Sequence, residues 1–329
     1  MWKDLAPEQK EQIFQAAKGG APLTVYALQL GIKESSLERY LRTYRNQRDE
    51  LLTKKAQTIT IPASTSRLFT DYITLENDNV MIIGDLEIPD HHEKYLYLSL
   101  LMAMEHNLKT LIILGDLVAT DHSALNLWAK LWVTGQELPY ENCIAQTNAL
   151  LTQLSAWYDE IIVVAGNHDE RINRATGGAV HLGMLLNSPK VRYSHYSYLW
   201  LETSRGPVKC IHPKNYRADP ITLAQQLYNR EPRKAHTVIA HTHRMQTGKS
   251  PDGQYTMQAI GCMRQRQRTQ YVSTHVSNHK QWDNSLLMIR NGFQYNIDCA
   301  NTDWQFWLGG RYPAWMTRVK YQEPELVLS

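Results

Sequence analysis

Nine polar side chains with metal-binding or proton-transfer chemistry fall in five short clusters along this chain. They are Asp85 and Glu87 in GDLE, Asp116 in GD, Asn167, His168 and Asp169 in GNHD, His212, and His241 and His243 in HTH. Carboxylate oxygens, imidazole nitrogens and an amide oxygen make up the donor set that a pair of divalent cations requires. Two such ions, ~3.5–4 Å apart, neutralise the charge of a phosphate ester and lower the pKa of a water between them. The set therefore suits attack of an activated water on phosphorus.

Each cluster follows a short apolar run rich in β-branched residues. Strands are expected at 80–83 before Asp85, 110–114 before Asp116, 161–165 before Gly166, 208–211 before His212 and 237–240 before His241. Further strands are expected at 255–260, 285–289 and 293–297, with helices over 93–106, 141–157 and 220–228. Leu96, Leu100, Ala103 and Met104 give the first of these helices a face to pack on a sheet. Strands alternating with helices predict a layered α/β fold. In such folds ligand sites lie beyond the carboxyl ends of strands, so five strand ends can converge on one place.

The order of these clusters resembles the calcineurin-like metallophosphoesterase superfamily over roughly residues 71–300. GNHD after an apolar strand, with HTH ~70 residues later after another, is specific in combination. The resemblance implies a metallophosphoesterase-type β-sandwich flanked by helices and a dinuclear phosphoester hydrolase. It implies that Asp116 bridges two metals, that Asp85 and His243 bind the first, and that Asn167, His212 and His241 bind the second. It implies that His168 contacts the substrate phosphate and protonates the leaving oxygen, with acidic Asp169 beside it. Three positions depart from the family pattern. Glu87 stands in place of the usual first-motif His; it is either a ligand that shifts preference toward Mn or Mg over Zn, or a residue that faces solvent or orients a water. Ala119 replaces the usual second Asp of the GD motif, which leaves Asp121 and Asp169 as candidates to orient His168. Ala240 replaces the Gly before HTH. The implied cofactors are two divalent ions, with Mn favoured and Mg, Fe or Zn as the other candidates.

Around this set, Arg244 suits a bidentate grip on a phosphate, or a plain surface role. His91 and His92 are candidates for substrate or metal contact, or for a solvated loop. Arg264, Arg266 and Arg268 alternate, so an extended segment would put all three on one face, tracking a nucleic-acid backbone or solvated. The segment 301–329, with Trp304, Phe306, Trp307, Tyr312 and Trp315, reads as an aromatic tail for core or inter-subunit packing, the latter in a homo-oligomer.

The 329 residues are 43% hydrophobic and 20% charged, ordinary for a soluble globular protein. No run approaches the ~18 apolar residues of a membrane span. The first fourteen residues have no apolar signal core. Four scattered cysteines form no C-x-x-C pair, which fits a reducing cytoplasm. The net charge of +3 has a location: residues 1–55 hold ten Lys/Arg against seven Asp/Glu, and the other 274 residues balance at 25 each. Residues 1–52 read as a small all-α module and 53–70 as a polar linker. Helices at 7–18, 23–30 and 34–44, broken at Gly31, resemble a helix-turn-helix. Leu23, Ala27, Leu30, Ile32, Leu37 and Leu41 can close its core. Arg39, Arg42, Arg45 and Arg48 recur every third residue as a drifting basic stripe, suited to phosphate contacts or to a solvated face of a structural bundle. Nucleic acid is thus the expected partner, and a nuclease or phosphodiesterase of bacterial or phage type the expected activity. The alternatives are a protein or small-molecule phosphatase, though the Asp-Arg-Gly extension of protein phosphatases is missing after Asp116, and a DNA-binding protein with a degenerate phosphoesterase body.

Overall fold

The computed structural model describes residues 2–57, 69–120, 139–269 and 282–310. The chain divides into two compact units, Met1–Leu68 and Phe69–Ser329.

The first unit holds helices α1 (Pro7–Lys18), α2 (Leu23–Gln29) and α3 (Glu34–Gln57). Pro7 starts α1 where a missing N–H costs nothing. Gly31 takes φ +61° at the turn into α3, a conformation that glycine adopts without penalty. Trp2, Ile13, Phe14, Ala27, Leu37 and Leu41 form the core, with Leu23, Leu30 and Ile32 packed against it. Helix α3 runs past the expected end at 44 and through the first residues of the expected linker. Thr53 Oγ1 donates back to Asp49 O at 2.8 Å, and Lys54 pairs with Glu50 at 2.7 Å one turn earlier. Those local bonds, and a sequence without Gly or Pro from 34 to 61, let the helix continue.

The second unit is a four-layer sandwich: helices, sheet, sheet, helix. Its strands are β1 (Thr74–Glu76), β2 (Val80–Ile83), β3 (Thr110–Leu114), β4 (Glu160–Val164), β5 (Val191–Ser194), β6 (Tyr198–Thr203), β7 (Gly206–Ile211), β8 (His236–Ile239), β9 (Gln246–Lys249), β10 (Thr256–Ala259), β11 (Ser285–Arg290) and β12 (Phe293–Asp298). One sheet runs β1-β6-β7-β8-β10-β9 and the other β12-β11-β2-β3-β4-β5. In the second, β2, β3, β4 and β5 are parallel, and β2 pairs antiparallel with β11. Alternation along each strand explains the layers. Val80, Ile82, Ile112, Leu114, Ile162 and Val164 point between the sheets, against Leu199, Leu201, Val208, Cys210 and Val238. Met81, Ile83, Leu111, Ile113, Ile161 and Val163 point the other way, onto α4 (Glu93–Glu105) and α5 (Tyr140–Leu154). Each such fully buried aliphatic side chain contributes about 1.5–3 kcal/mol. Helix α7 (Pro220–Arg230), capped by Asp219, covers the outer face of the first sheet with Ile221, Leu223 and Ala224. The short α6 (Glu170–Ala175) follows the GNHD segment.

On α4 the packed face is Leu96, Leu98, Met102 and Ala103, whereas Met104 is exposed. At the far end, Asp303 caps α8 (Trp304–Trp307), and buried Trp304 joins the core beside α4. Tyr312 and Trp315 lie outside the described residues. Among those described, no helix is long and apolar enough to cross a membrane.

Candidate metal centre

The five strand ends meet at one edge of the sandwich. β2, β3 and β4 deliver Asp85 with Glu87, Asp116, and Asn167 with His168; β7 and β8, from the other sheet, deliver His212, and His241 with His243. Backbone bonds extend beyond the strand ends and lock the loops together: Asp85 N donates to Gly115 O at 3.1 Å, Glu87 N to Asp116 O at 2.9 Å and Ile88 N to Leu117 O at 3.0 Å.

This edge carries most of the backbone strain. Seven described non-glycine residues have positive φ, and five of them are Asp85 (50°), Glu87 (45°), Asp116 (50°), His241 (74°) and His243 (55°). Each costs on the order of 1–3 kcal/mol and persists where the surroundings over-determine it, a pattern concentrated at functional sites. Two glycines make the convergence possible. A Cβ on Gly166 would sit 2.1 Å from Asp116, and one on Gly115, at φ +80°, would sit 2.3 Å from His212 Nδ1.

Among the described residues, three groups of ligand atoms lie within 4.8 Å of one another: Asp85, Asp116, His212 and His241; Asp85, Glu87 and His243; and Glu87, Asp116 and His168. Asp85 is common to both groups built on the strand-end histidines. His212 Nδ1 lies 2.8 Å from Leu114 O, the geometry of a ring N–H donating to the carbonyl. That turns Nε2 inward, 3.2 Å from Asn167 Oδ1 and 3.3 Å from Asp116 Oδ2. A backbone partner of this kind fixes the tautomer in which the other nitrogen can ligate. Asp85 Oδ2 accepts from His241 N at 3.0 Å. Asp85 Oδ1 and Glu87 Oε1 each lie 3.3 Å from His243 Nε2; both are buried, and among the described residues neither accepts a hydrogen bond. Buried carboxylate oxygens need a cation; the protonated His243 ring can serve as one, and a bound metal would take over that role. Three carboxylates, three imidazoles and one amide, with two oxygens that make no hydrogen bond, fit hard divalent ions.

The charges are strongly coupled. Burial alone would push the Asp116 carboxyl up, but the rings of His212 and His168 outweigh it and hold it well below the usual range. His212 shows the converse: burial would lower it, and the Asp116 carboxylate raises it to about 10. His243 is also raised against the effect of burial, by Cys262, Asp85 and Glu87. Since burial pushes the Cys262 thiol up to about 11, that group is neutral at pH 7, and the two carboxylates hold the His243 proton there. His241 is pushed down to about 4 by burial and by the charge of His212.

Asp169 has a different place from the expected one. Its carboxylate accepts from Leu117 N and Gly166 N, each at 3.0 Å, and from Val118 N at 3.3 Å, so it staples the GD loop to the GNHD loop. Burial and the charge of Asp116 raise it to about 7, against the Gly166 and Val118 N–H groups. Among the described residues, Glu87 faces the His168 ring, with Oε2 3.5 Å from Nδ1, and Asp116 lies in the same ligand group. Asp121 lies outside the described residues.

The remaining candidates fall away from the cluster. The cleft over it, about 190 Å3, is lined by Glu87, Asp116, His168, Tyr216, His241, Thr242, His243 and Trp282. Arg244 instead donates to Ala218 O. His91 bridges Arg264 through the backbone, and His92 stacks on Tyr95 at 4.0 Å where α4 begins. Arg264, Arg266 and Arg268 do not share a face, because Arg266–Arg268 is a 3-10 turn and Arg264 is buried. Sequence reasoning missed Tyr216 and Trp282, whose rings lie 6.5 Å from His241 and 4.4 Å from His243. No motif announces them; they reach the cleft through the fold alone.

In the helical unit, taken by itself, Arg39, Arg42 and Arg45 are exposed. Arg48 is not part of their arc. It pairs with Glu11 at 3.5 Å and lies over Phe14 at 5.5 Å. A three-residue repeat falls ~60° behind the helix at each step, so the fourth arginine rotates onto the packed face.

The calcineurin-like phosphoesterase family model matches residues 68–276. No curated protein matches the chain. Among solved structures, Yfce, a phosphoesterase from E. coli, is 15% identical with a TM-score of 0.38, over 68% of this chain and 95% of its own. A metallophosphoesterase from Sphaerobacter thermophilus is 11% identical with a TM-score of 0.37, over 67% and 88%. Vps29 from Chaetomium thermophilum is 10% identical with a TM-score of 0.35, over 64% and 84%.

Proposed function

The chain belongs to the calcineurin-like phosphoesterase family, and on that premise we propose that it is a two-metal phosphodiesterase acting on nucleic acid. The observation that carries the metal reading is the pair of ligand groups sharing Asp85, with buried Asp85 Oδ1 and Glu87 Oε1 facing the His243 ring and making no hydrogen bond. Asp85, Asp116, Asn167, His212, His241, His243 and Glu87 would hold the ions, and the carboxylate-rich set favours Mn. Bound there, two divalent ions would neutralise the phosphate and lower the pKa of the attacking water. His168, held by its backbone N–H on Asp116 Oδ1 at 2.8 Å, would protonate the leaving oxygen from the cleft. Tyr216 and Trp282 would bound the substrate on the two histidine sides. The four cysteines are free and buried, in keeping with a cytoplasmic protein.

Metal loading should release protons. Without metal, His212, raised to about 10, holds its proton at pH 8, and His243, raised well above the usual histidine value, binds a proton more tightly than a free histidine. Ligation needs neutral imidazole, so Mn binding should expel about one to two protons per chain and weaken as pH falls. A pH-stat titration with MnCl2 measures this; metal uptake with no proton release contradicts it.

The nucleic-acid part rests on the helical unit, read as a helix-turn-helix, which carries the net charge and exposes Arg39, Arg42 and Arg45. Replacing those three by Ala should weaken DNA binding and reduce the salt slope by about two to three, at 0.9 per phosphate contact. Hydrolysis of a small diester should not change. Arg48→Ala should instead lower the melting temperature through loss of its Glu11 and Phe14 contacts. Unchanged DNA affinity in the triple variant would favour a phosphatase of small substrates, a reading that the modest cleft volume also suits.

A further inference from the structure

Arg264 and Glu87 are 177 residues apart, yet their side chains meet inside the protein. Arg264 is 1% exposed, Glu87 0% and Asp90 5%. One arm of the guanidinium donates to Glu87 Oε2, and the other to Asp90 Oδ2 at 2.7 Å. Backbone bonds hold the two loops at that spacing. Met263 N donates to Gly84 O at 3.0 Å, Gln265 N to Asp90 O at 2.7 Å and His92 N to Met263 O at 2.6 Å. Asn284 Nδ2 donates to Arg264 O at 2.9 Å from a third segment.

This arrangement divides the Glu87 carboxylate. Oε2 is committed to Arg264, whereas Oε1 is buried 3.3 Å from His243 Nε2 without a hydrogen bond. The guanidinium cannot lose its proton, so its charge is permanent. A planar fork also fixes direction as well as distance, which an ammonium does not. Asp85, Glu87 and Asp116 bring three carboxylates to one cleft, and Arg264 sets a fixed positive charge behind one of them while also pairing Asp90.

We propose that Arg264 is a positioning residue for the metal centre: its planar fork, shared between Glu87 and Asp90, holds Glu87 Oε2 so that Oε1 is aimed at the cations. This rests on the two-metal reading above. Arg264 touches neither substrate nor the reacting atoms; it acts through Glu87.

A double-mutant cycle tests it. Mn2+ binding to the full chain is measured by isothermal titration for wild type, Arg264→Lys, Glu87→Ala and the double variant. Lysine keeps the charge beside Glu87 and Asp90 but loses the fork, so Arg264→Lys should weaken Mn2+ binding about ten- to a hundredfold. In the Glu87→Ala background the same change should cost less than about threefold, because the side chain that Arg264 aims is gone. Unchanged Mn2+ affinity in Arg264→Lys, or an equal loss in both backgrounds, would overturn the proposal. If Arg264→Lys does not fold, Asp90→Asn, which loosens the same fork and keeps its shape, takes its place with the same two outcomes. Wild type that binds no Mn2+ would instead overturn the metal reading beneath it.

Discussion

Asp116→Asn is expected to remove hydrolysis and metal together. The change is nearly isosteric, and an amide oxygen can still accept from His168 N, so the GNHD loop should keep its place. What disappears is the negative charge that raises His212 and that belongs to the first ligand group. A metal centre supplies several kcal/mol of transition-state stabilisation, so turnover should fall by about three to four orders of magnitude. Metal content, measured on the same sample by mass spectrometry, should fall in parallel. The melting temperature of the metal-free protein should move little by comparison. Full occupancy with full activity in this variant would end the two-metal account.

His168→Ala should separate chemistry from metal binding. The ring lies in the third ligand group with Glu87 and Asp116, but neither histidine-centred group containing Asp85 needs it. Its backbone N–H, which holds Asp116, survives the substitution. Metal content should therefore stay near that of wild type. Loss of a general acid costs about 100- to 10,000-fold in turnover. The loss should shrink for a diester with a very good leaving group, which departs without a proton. Equal losses for good and poor leaving groups would assign His168 another role, and loss of one metal would make it a ligand.

Four of the strands that position the site were legible because they are buried on both faces, and β7 because its apolar Val208, Cys210 and Ile211 are buried. β2, β3, β4, β7 and β8 read as apolar runs ending in polar residues, and most of their expected limits lie within one or two residues of those found. The strands that sequence reasoning passed over are chiefly at sheet edges. β1, β5 and β9 are edge strands, half solvated, and their sequences TLE, VRYS and QTGK carry no sustained apolar pattern. β6, next to the edge, alternates buried Leu199 and Leu201 with aromatic and polar residues.

The ligand set was legible for a related reason: strand-end motifs are local, and each keeps its identity in a short window. Partnerships across the fold are not local. Nothing in GNHD says that the Asp169 carboxylate turns back to Leu117, Val118 and Gly166. Nothing in MRQRQRT distinguishes buried Arg264 from its neighbours, because its partner Glu87 is set by the meeting of two loops. Arg48 is an intermediate case. Its departure from the basic arc follows from helical geometry, but its partner Glu11 requires α1 to be in place.

The central claim, metal-dependent phosphoester hydrolysis, is tested most directly by one assay. The full-length protein is stripped with a chelator and offered bis-p-nitrophenyl phosphate, with and without added Mn2+. The account predicts no hydrolysis of the stripped protein and recovery on adding Mn2+, abolished in Asp116→Asn. Absence of hydrolysis with Mn2+, Mg2+, Fe2+ and Zn2+ alike, in protein that binds the ions, would contradict it and leave a binding protein with a phosphoesterase fold.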